Sequence, residues 1–159
     1  MRRLTRFLLV MLAIGGGLFV LIAVTSNTYR IRTAAMEPTL RCPSGLVPGC
    51  TGDGADRILV SRLIYRLRDP HRGDVVVYRA PIAGARRCGL GSEDTFVHRI
   101  VAEPGERWSR RQVPARHYVV LGDNEGRSCD SRVWGYLSRD RIVGPVIAAY
   151  WPLDRISIR

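Results

Sequence analysis

Short apolar runs separated by turn residues are the feature that most constrains the fold of this chain. Each run is rich in valine and isoleucine and 4 to 10 residues long, which favours β-strands. The dipeptides between them, such as Asp69-Pro70 and Pro104-Gly105, are typical of turns. Because such strands must bury one face and protect their edges, we predict a mainly β domain, either a barrel or a folded sheet. The predicted strands are Arg57–Ile64, Asp74–Tyr78, Phe96–Ala102, Tyr118–Leu121 and Arg141–Tyr150.

The amino-terminal region has a different character. Residues 7–25 are 19 uncharged, mostly apolar residues, enough for a helix to cross a bilayer core of ~30 Å. Arg2, Arg3 and Arg6 precede this stretch, and positive charge stays on the cytoplasmic side of a membrane. We therefore predict a cytoplasmic segment 1–6, a single transmembrane anchor 7–25 and an extracytoplasmic domain 26–159. The alternative is a cleaved signal peptide, whose apolar region is ordinarily ~7–15 residues.

All 25 basic side chains are arginine, and the formal net charge is +11. The absence of lysine excludes a Schiff-base lysine, a P-loop lysine and a lysine general base. Arginine cannot replace lysine as a base, because its guanidinium stays protonated. The arginines are dispersed along the chain, never more than two in a row, and no basic helix is predicted, so the sequence does not favour nucleic-acid binding.

The four cysteines all follow the predicted anchor, so they would face the oxidising side of the membrane. Four cysteines allow three pairings. Cys42–Cys50 would close a short loop, and Cys88–Cys129 would then join two distant loops. Zinc is the alternative, but no C-x-x-C or nearby histidine spacing supports a metal site.

Three short motifs follow one another along the outer part of the chain. They are Ala35–Leu40 (AMEPTL), Phe96–Glu106 (FVHRIVAEPGE) and Gly122–Gly135, which contains GDN and SCDSR. A GDVVVY segment at Gly73–Tyr78 lies between the first two. In this order, and after a basic amino terminus, the motifs resemble the type I signal peptidase family over nearly the whole chain.

The resemblance implies a membrane-anchored, monomeric serine endopeptidase that removes signal peptides from exported preproteins. It implies a β-rich catalytic domain at the lipid surface and no cofactor or metal. Its substrate would lie extended beside a strand edge, with small residues (Ala-x-Ala) in two shallow pockets that include Met36 and Pro38. Such docking is β-augmentation, in which backbone hydrogen bonds supply affinity and the pockets supply selectivity.

The chain departs from the family pattern at the nucleophile. The residue before Met36 is serine in the family and is Ala35 here. Loss of the nucleophile from a known triad reduces turnover by about 10⁶. Thr33 matches the position of a side-chain oxyanion donor, with the Ala35 backbone N–H as the second donor. Three explanations of Ala35 remain open: a nucleophile relocated to Thr33 or Ser44, an introduced Ser-to-Ala replacement, and a natural loss of the nucleophile.

The base position also departs from most bacterial members, which use lysine. Here it is His98, as in endoplasmic-reticulum-type members, and imidazole can act as a base near neutral pH. Ser128 and Asp130 match residues that orient the base. His71 and His117 have no motif around them. Residues that match a structural network beneath the site are Asp123, Asn124, Ser131 and Arg132.

These matches predict a signal peptidase-like protein that has kept its supporting residues and lost its nucleophile. We expect little or no hydrolysis from the chain as it stands. Two alternatives remain: a non-catalytic binding or regulatory protein of the export pathway, and a specialist peptidase that trims pilins.

Overall fold

The computed structural model describes residues 6–7, 10–17, 25–89 and 95–158, and in this part of the chain it is mainly β-sheet. All five predicted strands begin within one residue of the prediction, and four of them also end within one residue of it, because β-branched runs determine strand position locally. The predicted strand 57–64 ends early, at Ser61, where a short helix follows. The strands are β1 (Ser26–Arg30), β2 (Arg57–Ser61), β3 (Val75–Arg79), β4 (Thr95–Ala102), β5 (Arg107–Trp108), β6 (Arg111–Gln112), β7 (His117–Leu121), β8 (Leu137–Ser138), β9 (Ile142–Trp151) and β10 (Ser157–Ile158).

The helices are short. An α-helix of six residues follows Pro81, whose fixed φ suits the position before a first helical turn. Asp130 caps another, since its carboxylate accepts the Arg132 backbone N–H at 3.1 Å. The α-helices of the outer part are α1 (Ile64–Leu67), α2 (Ile82–Arg87) and α3 (Ser131–Trp134), and the 3₁₀ turns are Ala34–Met36, Glu125–Arg127, Arg139–Arg141 and Leu153–Arg155.

One antiparallel sheet organises the domain. Its strand order is β1-β2-β9-β3-β4-β7-β8, and β10 pairs with β9. The ten-residue strand β9 is the central connection, because it pairs with β2, β3 and β10. The strands β5 and β6 form a separate hairpin.

Strand β3 separates two hydrophobic clusters. Successive side chains of a strand point to opposite faces. Accordingly, Val75 and Val77 belong to a cluster that includes Met36, Leu40 and Ile58. Val76 and Tyr78 belong to the other cluster, with the buried residues Tyr65, Ile100, Tyr118, Val120, Leu137 and Ile142. The first cluster includes Met36 of the first motif, and His98 of the second motif lies against Tyr78 of the second cluster.

Of the three possible pairings of the four cysteines, the structure has the one described above. Cys42 is bonded to Cys50, and Cys88 is bonded to Cys129. The first closes the loop between the Ala34–Met36 turn and β2. The second joins the end of α2 to the residue before Asp130, which lies next to the predicted site.

Two parts of the predicted fold are wrong. The sheet is open rather than a closed barrel: within the described residues β1 and β8 are its two ends, and a two-residue β8 offers too short a ladder to close it.

The predicted transmembrane helix 7–25 is also not supported. Helical backbone occurs at residues 6–7, 10–17 and 25, and no helix in the described part of the chain is long and apolar enough to cross a membrane. Eight residues of helix rise only ~12 Å, and residues 8–9 and 18–24 of that prediction lie outside the described residues.

Candidate active site

The turn after β1 carries the position at which the sequence pattern expects a nucleophile. Ala35 lies in the 3₁₀ turn Ala34–Met36, whose three residues are all buried. Its carbonyl oxygen accepts a hydrogen bond of 3.0 Å from the Asn124 backbone N–H. A methyl side chain carries no lone pair, so position 35 supplies no nucleophile.

Gly122 allows a close approach between two motifs that are distant in sequence. A Cβ atom at this position would collide with the Ala35 carbonyl oxygen and with the Ser128 hydroxyl. The Gly122 backbone N–H donates to Asp130 Oδ2 at 3.0 Å. Only glycine therefore fits between the turn that holds Ala35 and the segment that holds Ser128 and Asp130.

His98 lies in β4, on the buried face that it shares with Ile100 and Ala102. Its side chain is 1% exposed. The Nδ1 atom lies 2.6 Å from the Tyr78 hydroxyl, and the Nε2 atom lies 3.2 Å from the Ser128 hydroxyl. The ring thus has a hydrogen-bond partner on each nitrogen.

Asp130 is the fully buried anchor of the site. The Ser128 hydroxyl donates to Asp130 Oδ2 at 2.7 Å. Arg132 forms a bidentate pair with the same carboxylate, from Nε to Oδ1 at 2.9 Å and from Nη2 to Oδ2 at 2.6 Å. Such planar pairs combine charge with directional hydrogen bonds. Asp130 reaches His98 through Ser128 rather than by a direct hydrogen bond.

Burial affects the protonation of these groups in different ways. Burial lowers the pKa of His98 to about 4, and the negative charge of Asp130 offsets only part of this effect. For Asp130, burial raises the pKa, but the hydrogen bonds from Arg132, Gly122 and Ser128 outweigh it and the pKa falls below its ordinary value. Burial, assisted by the charge of Asp130, raises the pKa of Tyr78 well above its ordinary range. At neutral pH the site therefore holds a neutral imidazole, a neutral phenol and a carboxylate.

Arg99 and Asp123 support the site from the neighbouring turn. Arg99 donates from Nε to Asp123 Oδ1 at 2.9 Å and from Nη2 to Oδ2 at 2.7 Å. A third donor, Arg99 Nη1, binds the Gly73 carbonyl at 3.0 Å. Ser131 accepts the Val120 backbone N–H at 3.0 Å, which ties α3 to β7. Through Arg99, these contacts tie the turn that holds Asp123 to β4 and to Gly73, two residues before β3.

A groove of about 340 Å³ runs beside the candidate site. Strand β4 pairs with β3 over residues 95–99, whereas its pairing with β7 begins only at Arg99. In the described structure, residues 95–98 therefore present one backbone edge without a neighbouring strand. An extended peptide could add itself at such an edge. The groove is lined by Tyr29, Arg30, Ile31, Arg32, Thr33, Met36, Thr95, Phe96, Val97 and His98.

Glu37 connects the Ala34–Met36 turn, which it follows directly, to the disulfide loop 42–50 by hydrogen bonds. Its buried carboxylate accepts the Cys42 and Thr51 backbone N–H groups at 3.2 and 3.1 Å, and the Thr51 hydroxyl at 2.8 Å. Burial raises the pKa of Glu37, but these hydrogen bonds outweigh it and the pKa lies below its ordinary value. The turn that holds Ala35 is thus fixed from both sides.

The remaining predicted residues fall partly outside this arrangement. Thr33 is exposed and lines the groove with Met36. Pro38 is exposed and does not line it. Ser44 is exposed in the disulfide loop, and His71 and His117 bind Glu103 and the Ala115 carbonyl away from the site. Among the described residues, no group of three or more His, Cys, Asp or Glu side chains could hold a metal ion.

Comparison with known proteins gives the family. A model of the family described as "Signal peptidase, peptidase S26" matches residues 1–112 and 107–151. The chain belongs to the signal peptidase family. Its relatives include "Signal peptidase I" of Leptolyngbya laminosa, which is 28% identical over 154 residues that cover 80% of this chain and 74% of the relative.

Other members of the signal peptidase family are similarly distant. "Probable signal peptidase I-2" of Synechocystis is 28% identical over 94% of this chain and 72% of its own length. "Thylakoidal processing peptidase 1, chloroplastic" of Arabidopsis thaliana is 30% identical over 85% of this chain and 48% of its own length. The relatives span bacteria and plants, and their names all describe processing or signal peptidases.

Four contributors to this candidate site escape sequence reasoning. Tyr78 and Arg99 reach the site only because of the register between strands that lie far apart in sequence. Gly122 stands inside a recognised motif, yet its close approach to Ala35 depends on the tertiary fold. Glu37 follows Met36 in the first motif. The sequence feature that could have indicated its role is an acidic residue close to the cysteine-bounded loop 42–50.

Proposed function

We propose that this signal peptidase family member binds the extended cleavage-site segment of exported preproteins in its groove and, as it stands, does not hydrolyse it. The observation that carries the proposal is the buried methyl group of Ala35 at the nucleophile position, beside an intact groove and supporting network. The binding elements and the reaction chemistry are therefore separated in this chain.

The groove supports the binding half of the proposal. The free edge of residues 95–98 offers backbone donors and acceptors to a peptide. Ile31, Met36 and Val97 supply an apolar lining, which suits small side chains such as the alanines of an Ala-x-Ala segment. Thr33 stands exposed at the groove and is the hydroxyl we assign to oxyanion contact.

The two disulfides support an extracytoplasmic location for residues 26–159. Both join cysteines inside this range. Disulfides persist in oxidising compartments and are rare in the cytosol. This is the side of the membrane on which exported preproteins are released.

The test uses the purified full chain in detergent with a fluorescent peptide that contains Ala-x-Ala. We expect saturable binding by anisotropy and an intact peptide by mass spectrometry. Val97→Trp should fill the groove and weaken binding by about tenfold or more, ~1.4 kcal/mol. Val143→Trp is the matched control, because Val143 packs against the same hydrophobic cluster but does not line the groove.

Each outcome discriminates. Equal binding by the two valine variants would place the peptide elsewhere and contradict the groove assignment. Cleavage by the unaltered chain would contradict the inactive state. If mass spectrometry then found the peptide's acyl group bound to the Thr33 side chain, Thr33 would be the relocated nucleophile. Peptides derived from pilins and from ordinary preproteins, compared in the same assay, separate a specialist from a general binder.

A further inference from the structure

The contact between Tyr78 and His98 determines which nitrogen of His98 carries a proton. Tyr78 pairs with Phe96 across β3 and β4, so His98 is its diagonal neighbour on the same face. The two rings lie 5.8 Å apart between centroids, and their polar atoms meet at 2.6 Å. Tyr78 is 0% exposed and His98 is 1% exposed. Buried polar groups of this kind need hydrogen-bond partners.

Among the described residues, the Tyr78 hydroxyl has one hydrogen-bond acceptor, His98 Nδ1. The phenol stays protonated, because burial raises its pKa well above the ordinary value. Within the described residues, its oxygen lies within hydrogen-bond distance of His98 Nδ1 and of no other polar group. The hydroxyl therefore donates to Nδ1, and this nitrogen uses its lone pair to accept.

A neutral imidazole carries one N–H, so Nε2 must hold the proton of His98. Burial keeps the ring neutral. The Nε2–H then points toward the Ser128 oxygen at 3.2 Å. Ser128 has a single hydroxyl hydrogen, and it donates this to Asp130 Oδ2 at 2.7 Å. The Ser128 oxygen is consequently free to accept from Nε2.

The donors and acceptors form a chain with one direction. It runs from the Tyr78 hydroxyl to His98, from His98 to Ser128, and from Ser128 to Asp130, whose charge is balanced by Arg132. Reversing the chain would place the hydrogens of Nδ1–H and of Tyr78 against each other. One of them would then be a buried donor without an acceptor.

We propose that Tyr78 is a positioning residue that, together with the Ser128–Asp130 pair, holds His98 in the tautomer with its proton on Nε2. In this state His98 is a hydrogen-bond donor. It has no free nitrogen to accept a proton from a hydroxyl at position 35. The chain thus lacks both the nucleophile and an available base. This goes beyond the proposed function and competes with the sequence-based prediction that His98 is a general base.

The tautomer can be measured directly. Long-range ¹H–¹⁵N correlation spectra of the ¹⁵N-labelled full chain distinguish Nε2–H, Nδ1–H and imidazolium forms. The chain has three histidines, so His71→Gln and His117→Gln assign the His98 signals. We expect the Nε2–H form at neutral pH, with Nδ1 as a hydrogen-bonded acceptor. An Nδ1–H form or an imidazolium would overturn the proposal.

Removal of the Tyr78 hydroxyl tests its role as donor. In Tyr78→Phe, the His98 Nδ1 resonance should move toward that of an acceptor without a hydrogen bond. Tyr118→Phe is the matched control, because Tyr118 is buried in the same cluster and does not contact His98. An unchanged Nδ1 resonance in Tyr78→Phe would show that the hydroxyl does not donate, and would also overturn the proposal.

Ala35→Ser provides a readout in terms of activity. We expect this variant to bind the peptide as the unaltered chain does and still to leave it uncleaved, because the base is not available. Robust cleavage by Ala35→Ser would overturn the tautomer proposal and would leave the binding function intact. Loss of peptide binding by the unaltered chain would instead contradict the proposed function, so the two failures are distinguishable.

Discussion

At the scale of single residues, the candidate site is an arrangement of neutral and charged groups with different costs of burial. Asp130 retains its charge because five hydrogen-bonding contacts from Gly122, Ser128 and Arg132 replace its hydration. His98 has no comparable anion in direct contact and is neutral. The same degree of burial thus gives one ionised and one uncharged group a few ångströms apart.

This difference predicts how stability depends on pH. The pKa of His98 is about 4 in the folded chain and ~6.5 when unfolded. Between these values the unfolded state binds a proton and the folded state does not, so the free energy of unfolding falls as pH decreases from 6.5 to 4. Above that window His98 contributes no pH dependence, and below it the loss is complete. At pH ~4.5 the loss should reach roughly 2.5 kcal/mol.

Urea titrations of the unaltered chain and of His98→Gln, at pH 7 and ~4.5, measure this effect. Other groups around the ring, including Asp130, Arg132, Asp123 and Tyr78, are common to both proteins, so the difference isolates His98. The unaltered chain should lose about 2.5 kcal/mol more than the variant over this range. Parallel pH profiles for the two proteins would contradict the burial-lowered pKa.

At the scale of elements, the site depends on one close contact between two turns. Gly122 stands between the Ala35 carbonyl and the Ser128 hydroxyl, where any Cβ would collide with both. We expect Gly122→Ala to push the turns apart, to lower the free energy of unfolding by about 1–3 kcal/mol and to weaken peptide binding. Thermal or urea unfolding and anisotropy measure the two effects.

Gly126→Ala is the matched control for this substitution. Gly126 lies four residues further along the same segment, and a Cβ there meets nothing within 4 Å. Its unfolding and binding should stay close to those of the unaltered chain. Equal effects of the two substitutions would mean that the close approach at Gly122 does not support the site.

The same scale shows what sequence could predict. Val75–Tyr78 and Ile142–Tyr150 are strand-like on local grounds alone, and the structure confirms them within a residue or two. Strand β1, with the sequence SNTYR, offers no apolar run and was not predicted. Its formation depends on pairing with β2, 27 to 35 residues away in sequence. A local pattern cannot contain that information.

The site was predictable only where a motif carries its own residues. His98, Ser128 and Asp130 stand inside recognisable segments. Tyr78 ends the GDVVVY segment, but its contact with His98 follows from the register of β3 against β4, which the segment does not reveal. The apolar stretch 7–25 shows the opposite problem: hydropathy favoured a spanning helix, which the described structure does not support.

At the scale of the whole molecule, two covalent links of different span stabilise the domain. Cys42–Cys50 encloses a separation of 8 residues, and Cys88–Cys129 encloses 41. In the chain-entropy account, a longer loop restricts the unfolded chain more. We therefore expect the variant with both Cys88 and Cys129 replaced by Ala to lose about 4 kcal/mol of unfolding free energy, against about 2.5 for the corresponding variant at Cys42 and Cys50.

Urea titrations of the two double variants, beside the unaltered chain, measure these losses. The order matters more than either magnitude, because native contacts of the sulfur atoms add to both. A larger loss for the Cys42 and Cys50 variant would show that the Glu37-bound loop, rather than loop length, dominates.

The division of the core by β3 has a consequence for insertions and deletions. Val75 and Val77 face one cluster, and Val76 and Tyr78 face the other. Inserting or deleting one residue in this strand would therefore move every following side chain to the opposite cluster. The phenol would enter the aliphatic cluster, and valine would face the imidazole. An insertion or deletion of one residue within Val75–Tyr78 should therefore disturb both clusters, whereas an exchange of one apolar residue for another affects only one of them.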